Sequence, residues 1–307
     1  MCFKEKDMTA KERVIQRFIS FRGGLMKGTT LGKLYIVGTP IGNLGDFSPR
    51  AQEVLKEVDF ICAEDTRVSG ILLSKFGIKK QMISYHEHNA RQRGGEILPR
   101  LLEGESCAVV TDAGMPCISD PGEEIVKLCA EHGVEVATVP GPTAAMSALA
   151  ISGLNTKRFC FEGFLSVTKR IRREHLEQLK SLPQTLIFYE APHKLKNTLA
   201  DLLEILGDRR ISLCRELTKI HEEVIRGRVS EMAAYYSEHE PRGEYVLIVE
   251  GAEEKKDSEY TLEQAVRLAA ELKEKGMKPS EACKEAARQT GFGKSEIYGI
   301  LAGRTSL

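Results

Sequence analysis

Ala108-Val109-Val110-Thr111, followed at once by Asp112-Ala113-Gly114-Met115-Pro116-Cys117-Ile118-Ser119-Asp120-Pro121-Gly122, decides how this chain reads. A short, β-branched apolar run is what a parallel strand buried on both faces looks like. The same pairing of apolar run and Gly/Pro/Asp loop occurs on either side. A run at 34–37 precedes Gly38-Thr39-Pro40-Ile41-Gly42-Asn43-Leu44-Gly45-Asp46, and one at 58–62 precedes Ala63-Glu64-Asp65-Thr66-Arg67. A third, at 134–139, precedes Pro140-Gly141-Pro142-Thr143-Ala144. In an open α/β sheet such loops gather at the carboxyl ends of the strands, where ligands bind. Glycine lets backbone amides approach a ligand closely, and proline fixes a turn without needing a donor. Four loops of this kind point to a small-molecule cleft. The spacing Gly38, Gly42, Gly45 is not the dinucleotide fingerprint, so a nicotinamide cofactor is rejected.

Working outward, Ser48-Pro49 offers an N-cap and a first-turn proline, and Thr143 caps an apolar helix over 144–151. Gly153-Leu154-Asn155 breaks the pattern. Strand–helix alternation then resumes, with strands expected at 158–161, 185–189, 211–214 and 244–249 and helices near 171–182 and 195–206. The expectation is two α/β domains, 33–153 and 154–252, with a ligand cleft between them, and a separate helical tail over 259–307. The tail opens on a capping box, Thr261 to Gln264, and resembles a helix-turn-helix. Such a hairpin either contacts nucleic acid or merely packs. Residues 1–32 carry seven basic and three acidic side chains and lack a signal peptide's continuous apolar core, so they read as a poorly ordered basic extension or an RNA-binding arm.

Lys+Arg and Asp+Glu both number 44, so no global field announces a polyanionic partner and any positive charge must act locally. The eight cysteines are scattered without a C-x-x-C pair, as reduced thiols in a cytoplasm are. His86-Glu87-His88 lacks further ligands nearby, and no metal is expected. No apolar stretch approaches bilayer-spanning length.

Together with Tyr189-Glu190-Ala191-Pro192-His193, Cys214-Arg215-Glu216-Leu217-Thr218-Lys219 and the run 243–249, the four loops resemble the tetrapyrrole-methylase superfamily of S-adenosylmethionine-dependent methyltransferases. Within it they are most similar to the bacterial branch that methylates the ribose 2′-hydroxyl of a cytidine in 16S ribosomal RNA, in the decoding region. The resemblance covers roughly residues 33–252, and the tetrapyrrole enzymes lack the 63–67, 189–193 and 214–219 strings. It implies S-adenosylmethionine as cofactor, the small ribosomal subunit as partner, a homodimer and a cytoplasmic location. Cofactor contacts carried over by motif are Pro40, Ala113, Gly114, Met115, Ile118, Thr143 and Ala144, with Glu190 and Leu217 from the second domain.

Methyl transfer from a sulfonium to a hydroxyl is an in-line displacement in which alignment matters more than any single acid or base. Lys219 is the first candidate to deprotonate or polarise the hydroxyl, since a desolvated lysine can have its pKa lowered. A solvated Lys219 holding phosphate is the rival, and Glu64, Asp112 and His193 are the other catalytic candidates. Glu64-Asp65-Thr66-Arg67 also reads as a capped helix start with a local ion pair. The RNA-facing candidates are Lys169, Arg170, Arg172 and Arg173, with Arg67 and Lys194; clustered cations neutralise phosphates and make affinity salt-dependent. The chain departs from the branch at Ser166, where proline is usual, and at Lys194, where arginine is common. Two other functions fit parts of the sequence. A tetrapyrrole methyltransferase would share the cleft without needing the 169–173 cluster, and a non-catalytic RNA-binding assembly factor would use only the basic segment and tail.

Overall fold

The computed structural model describes residues 31–253 and 260–302, so the basic N-terminal segment lies outside it apart from its last two residues. Contacts divide the chain into two units, Met1–Gly251 and Ala252–Leu307.

The first unit begins with the alternation β1 (Lys33–Val37), α1 (Pro49–Glu57), β2 (Phe60–Ala63), α2 (Thr66–Lys75), β3 (Gln81–Ser84). It continues with α3 (Ala90–Leu102), β4 (Cys107–Val110), α4 (Glu123–Glu131), β5 (Glu135–Val139) and α5 (Ala144–Ile151). The strands form one parallel sheet in the order β3-β2-β4-β1-β5. Strand periodicity sorts its side chains. Phe60, Cys62 and Val109 join Ile97 and Ile125 of α3 and α4 on one face; Ile61, Ala63 and Val110 join Leu55 and Leu73 of α1 and α2 on the other. The connections leaving the adjacent strands β1 and β4 therefore diverge to opposite faces, which opens a crevice at their carboxyl ends. The sequence-expected caps form: Ser48 Oγ accepts from Ala51 N at 3.1 Å and Thr143 Oγ1 from Met146 N at 3.2 Å.

The second sheet contains β6 (Phe159–Phe164), β7 (Thr185–Glu190), β8 (Arg210–Arg215), β9 (Glu223–Arg228) and β10 (Tyr245–Val249) in the order β6-β7-β10-β8-β9. Only β6 and β7 are parallel; the other pairs are antiparallel. Helices α6 (Lys169–Leu179), α7 (Pro192–Leu206) and α8 (Val229–Glu238) cover one face. The other face is covered by α5, whose Ala145, Ala148 and Leu149 pack on Ile187, Cys214, Val246 and Ile248. That stripe of α5 is buried while Met146 and Ile151 stay exposed, and it fastens the second sheet to the first. β9 and α8 had no counterpart among the sequence expectations. Glu222 and Glu223 do not pair with Arg226 and Arg228: Glu222 accepts from Thr218 N at 2.6 Å, and Glu223 meets Arg215 at 3.4 Å.

The second unit comprises α9 (Leu262–Glu274), α10 (Pro279–Thr290) and α11 (Lys294–Leu301) around Ala265, Ala269, Cys283, Ala286 and Ile297. Its capping box is intact, Thr261 N donating to Gln264 Oε1 at 2.7 Å and Gln264 N to Thr261 Oγ1 at 3.2 Å.

Candidate functional site

Three of the four loops meet at the crevice. Thr39 N donates to Gly114 O at 2.9 Å and Gly114 N to Thr39 O at 3.2 Å, an isolated antiparallel bridge joining the loops after β1 and β4. Gly38 and Gly141 lie back to back. A Cβ on Gly38 would fall 2.6 Å from Gly141 Cα, and one on Gly141 would fall 2.8 Å from Gly38 Cα, so neither position tolerates a side chain without backbone movement. Met115 Sδ accepts from Gly141 N at 3.3 Å and seals the contact. Beside it opens a cavity of about 450 Å³ lined by Asp46, Pro140, Gly141, Pro142, Ser147 and Thr218. Pro40 and Gly114 are buried in the loop junction, while Ala113 and Ile118 face solvent. Thr143 and Ala144 occupy the cap and first position of α5.

The second sheet contributes the turn after β8. Glu216 and Thr218 have φ of 49° and 66°, and Cys117 and Ser119 in the loop after β4 have 71° and 65°. Left-handed backbone at non-glycine residues costs free energy and gathers at functional sites; among the described residues all four such positions lie in the loops after β4 and β8. Thr218 Oγ1 is buried with no hydrogen-bond partner. Leu217 is buried on the α5 face. Gly42 packs against this turn, where a Cβ would come 2.5 Å from Lys219 Cγ. Lys219 Nζ donates to Glu216 Oε1 at 3.0 Å and Glu244 Oε2 at 2.9 Å. Burial opposes its charge, but those two carboxylates outweigh it and hold its pKa above the ordinary lysine value. The lowered pKa expected of Lys219 is therefore corrected: two anions more than offset desolvation.

Glu190 is also placed differently from expectation. Its buried carboxylate accepts from Ala191 N at 2.9 Å and from Thr198 Oγ1 at 2.5 Å, and meets Lys194 Nζ at 2.8 Å. It serves the start of α7, with no side-chain oxygen turned to a ligand. Lys194, which also donates to Leu165 O at 3.2 Å, is absorbed by the same network and is not a free phosphate contact. His193 is exposed in the first turn of α7.

Acidic groups line the ends of β2 and β4. Asp112 N donates to Glu64 Oε2 at 3.4 Å, and Asp65 N to Asp112 Oδ1 at 3.2 Å. Burial, reinforced by neighbouring carboxylates, raises the pKa of Glu64 and of Asp112. Asp120 is pushed up to about 7, first by burial and then by Glu64 and Asp112. Asp65 caps α2 and chelates Arg67, whose Nη2 lies 2.6 Å away; those bonds hold the Asp65 carboxyl at about 2. Arg67 remains 87% exposed, so its outward edge stays accessible.

The basic cluster does not act as one surface. Arg172 is buried, donating from Nε to Asp201 Oδ2 at 2.7 Å and from Nη1 to Ser166 O at 3.2 Å and Val167 O at 3.3 Å. Every face of its guanidinium is committed inside the protein, which corrects its assignment as an RNA contact. Arg173 is held by Asp201 at 3.0 Å and Glu204 at 2.5 Å. Lys169 and Arg170 are exposed, Arg170 beside Glu174 at 2.6 Å. Among the described residues no three His, Cys, Asp or Glu side chains converge as metal ligands.

A parallel sheet whose loops build a cleft at its switch point, closed by a mixed sheet carrying a strained turn, defines an α/β small-molecule-binding protein of two lobes. A profile of the Tetrapyrrole (Corrin/Porphyrin) Methylases matches residues 33–233, and the chain belongs to this family. A Synechocystis sp. relative named "Ribosomal RNA small subunit methyltransferase I" is 45% identical over 269 residues, covering 87% of this chain and 96% of the relative. A Thermotoga maritima relative of the same name is 49% identical over 223 residues, 73% of this chain and 100% of the relative. Among solved structures, that of the methyltransferase CobJ shares the fold at 19% identity with a TM-score of 0.55, covering 75% of this chain and 97% of that one. S-adenosylmethionine is the cofactor. The residues fit it: side-chain-free Gly38 and Gly141 at a loop junction, a cavity of about 450 Å³, and a buried hydroxyl on Thr218 without a partner.

Proposed function

We propose that this chain transfers a methyl group to the ribose 2′-hydroxyl of a cytidine in the decoding region of 16S ribosomal RNA, acting in the cytoplasm as a homodimer. The observation that carries this reading is near-full-length identity of 45% to a relative named for small-subunit ribosomal RNA methylation. The motifs at 63–67, 189–193 and 214–219 support the ribose of a cytidine as acceptor. Likeness to tetrapyrrole enzymes at 19% identity speaks to fold alone.

When bound, S-adenosylmethionine supplies a methyl group already activated on a sulfonium. Pro40, Ala113, Gly114, Met115, Ile118, Thr143, Ala144 and the backbone near Leu217 would hold it, and the chain's task is alignment and exclusion of water. A charged Lys219 cannot accept the hydroxyl proton, but it can donate a hydrogen bond to the oxygen or to a flanking phosphate. Asp46 lines the cavity, and Glu64, Asp112 and Asp120, all with raised pKa, stand at the ends of β2 and β4 and in the loop beyond as further acceptors. Of the cations expected at RNA, Lys169, Arg170 and Arg67 remain exposed.

Mass spectrometry of ribosomal RNA nucleosides from a deletion strain tests the function. Loss of one 2′-O-methylated cytidine is expected, and an unchanged profile would sink the reading. For Lys219, single-turnover methylation by Lys219→Met should fall about 10²-fold or more if it donates to the reacting oxygen. Full rescue at saturating RNA would make it a phosphate contact instead.

A further inference from the structure

The pairing of β6 with β7 slips between Phe161 and Gly163, where φ of Gly163 is +64°. In an unbroken strand, residues three apart point to opposite faces. A bulge adds one residue and re-aims the side chains beyond it. Phe164 is accordingly returned to the face of Phe161, and both rings pack on Tyr189, with centroids 5.0 Å away for Phe161 and 5.4 Å for Phe164. Tyr189 is itself anchored to the cleft, its hydroxyl accepting from Ala145 N at 3.3 Å. Gly163 lies against the loop after β4, where a Cβ would fall 3.0 Å from Ser119 Oγ. Phe164 thus stands on the rim where that loop meets the second sheet.

The two phenylalanines meet different surroundings. Phe161 is half-buried, whereas Phe164 remains 56% exposed despite its fixed direction. Lys194 Nζ lies 5.3 Å from the Phe164 ring centroid. The segment that leaves Phe164 also exposes Val167 and Ile171, and with them Lys169 and Arg170. An exposed aromatic ring held by neighbours and edged by cations is the arrangement that receives an unstacked base, since every base has a π-face and a phosphate beside it. A protein partner would instead favour a broader apolar patch without cations at its centre.

We propose that Phe164 is a stacking platform for a nucleobase of the RNA strand entering the cleft, set in position by the bulge at Gly163. This rests on the RNA-methylation reading above. Phe164→Ala should raise KM for small ribosomal subunits by about 10- to 100-fold, the loss of one stacked base, with kcat and S-adenosylhomocysteine affinity unmoved. Phe164→Tyr should restore the parent KM, and Phe164→Leu should fail as Phe164→Ala does. A leucine variant with the parent's KM would overturn the proposal, showing only apolar contact. So would a Phe164→Ala variant that shifts the sedimentation of the free protein but not KM, which would assign the ring to self-association. The chain has no tryptophan, so Phe164→Trp gives a single tryptophan that can be excited to the red of the tyrosines. Its quenching by a single-stranded ribosomal RNA oligonucleotide is expected even if no methylation occurs, which separates this inference from the function it rests on. Unquenched emission at saturating RNA would overturn it.

Discussion

Asp120 carries a carboxyl that burial, helped by Glu64 and Asp112, pushes up to about 7. A carboxyl raised in the fold binds a proton that the unfolded chain has already released, so stability is fullest below the unfolded pKa near 4 and is lost as pH rises through about 7. Asp120→Asn should therefore stabilise the protein at pH 8 by about 1–2 kcal/mol, after discounting for solvent access, and leave it unchanged at pH 4. Chemical denaturation at the two pH values checks this, and equal shifts at both would refute it. Arg172 makes the opposite case. Replacing it with methionine leaves Asp201 buried with only Arg173, and should cost about 3 kcal/mol in thermal unfolding. The double variant Arg172→Met/Asp201→Leu should recover much of that. A basic run in sequence predicts a basic surface only if its helical phase is respected. Arg172, Leu176 and Leu179 share the buried stripe of α6 while Lys169 and Arg170 do not, so the fate of Arg172 was legible in the 3.6-residue period. That of Glu190 and Lys194 was not, because their partners Thr198 and Leu165 are set by packing.

Loops and strands tell the same story at the next size up. The crevice depends on two glycines whose α-carbons must nearly touch, so Gly141→Ala should weaken S-adenosylhomocysteine binding by about 10-fold or more in calorimetry, through a backbone shift that cannot be relieved by a rotamer. Gly95, in the middle of α3 with open space where a Cβ would stand, is the control. Gly95→Ala should leave binding alone and raise stability by up to about 1 kcal/mol, the difference in helix propensity. If both substitutions weaken binding equally, the loop contact is not what matters. The parallel strands and their loops were legible because they are short, continuously apolar and punctuated by glycine and proline. The edge strand β9, Glu-Val-Ile-Arg-Gly-Arg, was not, since its charged residues are exposed and it pairs with β8 at the end of the sheet. Nor was the bulge in β6, because Gly163 reads equally well as a strand end. The strained turn at Glu216 and Thr218 carries no glycine signal at all.

Taken whole, the chain comprises an α/β body and a three-helix unit with its own small core. The Thermotoga maritima relative aligns over all of its length with 73% of this chain, so the remaining residues have no counterpart in it. Ending the chain after Glu253 should accordingly leave S-adenosylhomocysteine binding intact; loss of binding would show that the helical unit supports the cleft. If the shortened chain binds the cofactor product but not small ribosomal subunits, the helical unit contacts RNA. The strand order β3-β2-β4-β1-β5 has a further consequence for how the body is made. β1 leads the sheet in sequence yet pairs only with β4 and β5, so its last partner, Val139, is synthesised roughly a hundred residues after it. At ribosomal speeds of about 5–20 residues per second, an unpaired apolar strand waits about 5–20 s outside the exit tunnel. Long-range parallel pairing is slow to close even then. Chaperone dependence during synthesis, rather than low stability of the finished protein, is where slowing or speeding translation of residues 38–139 should leave its mark on yield.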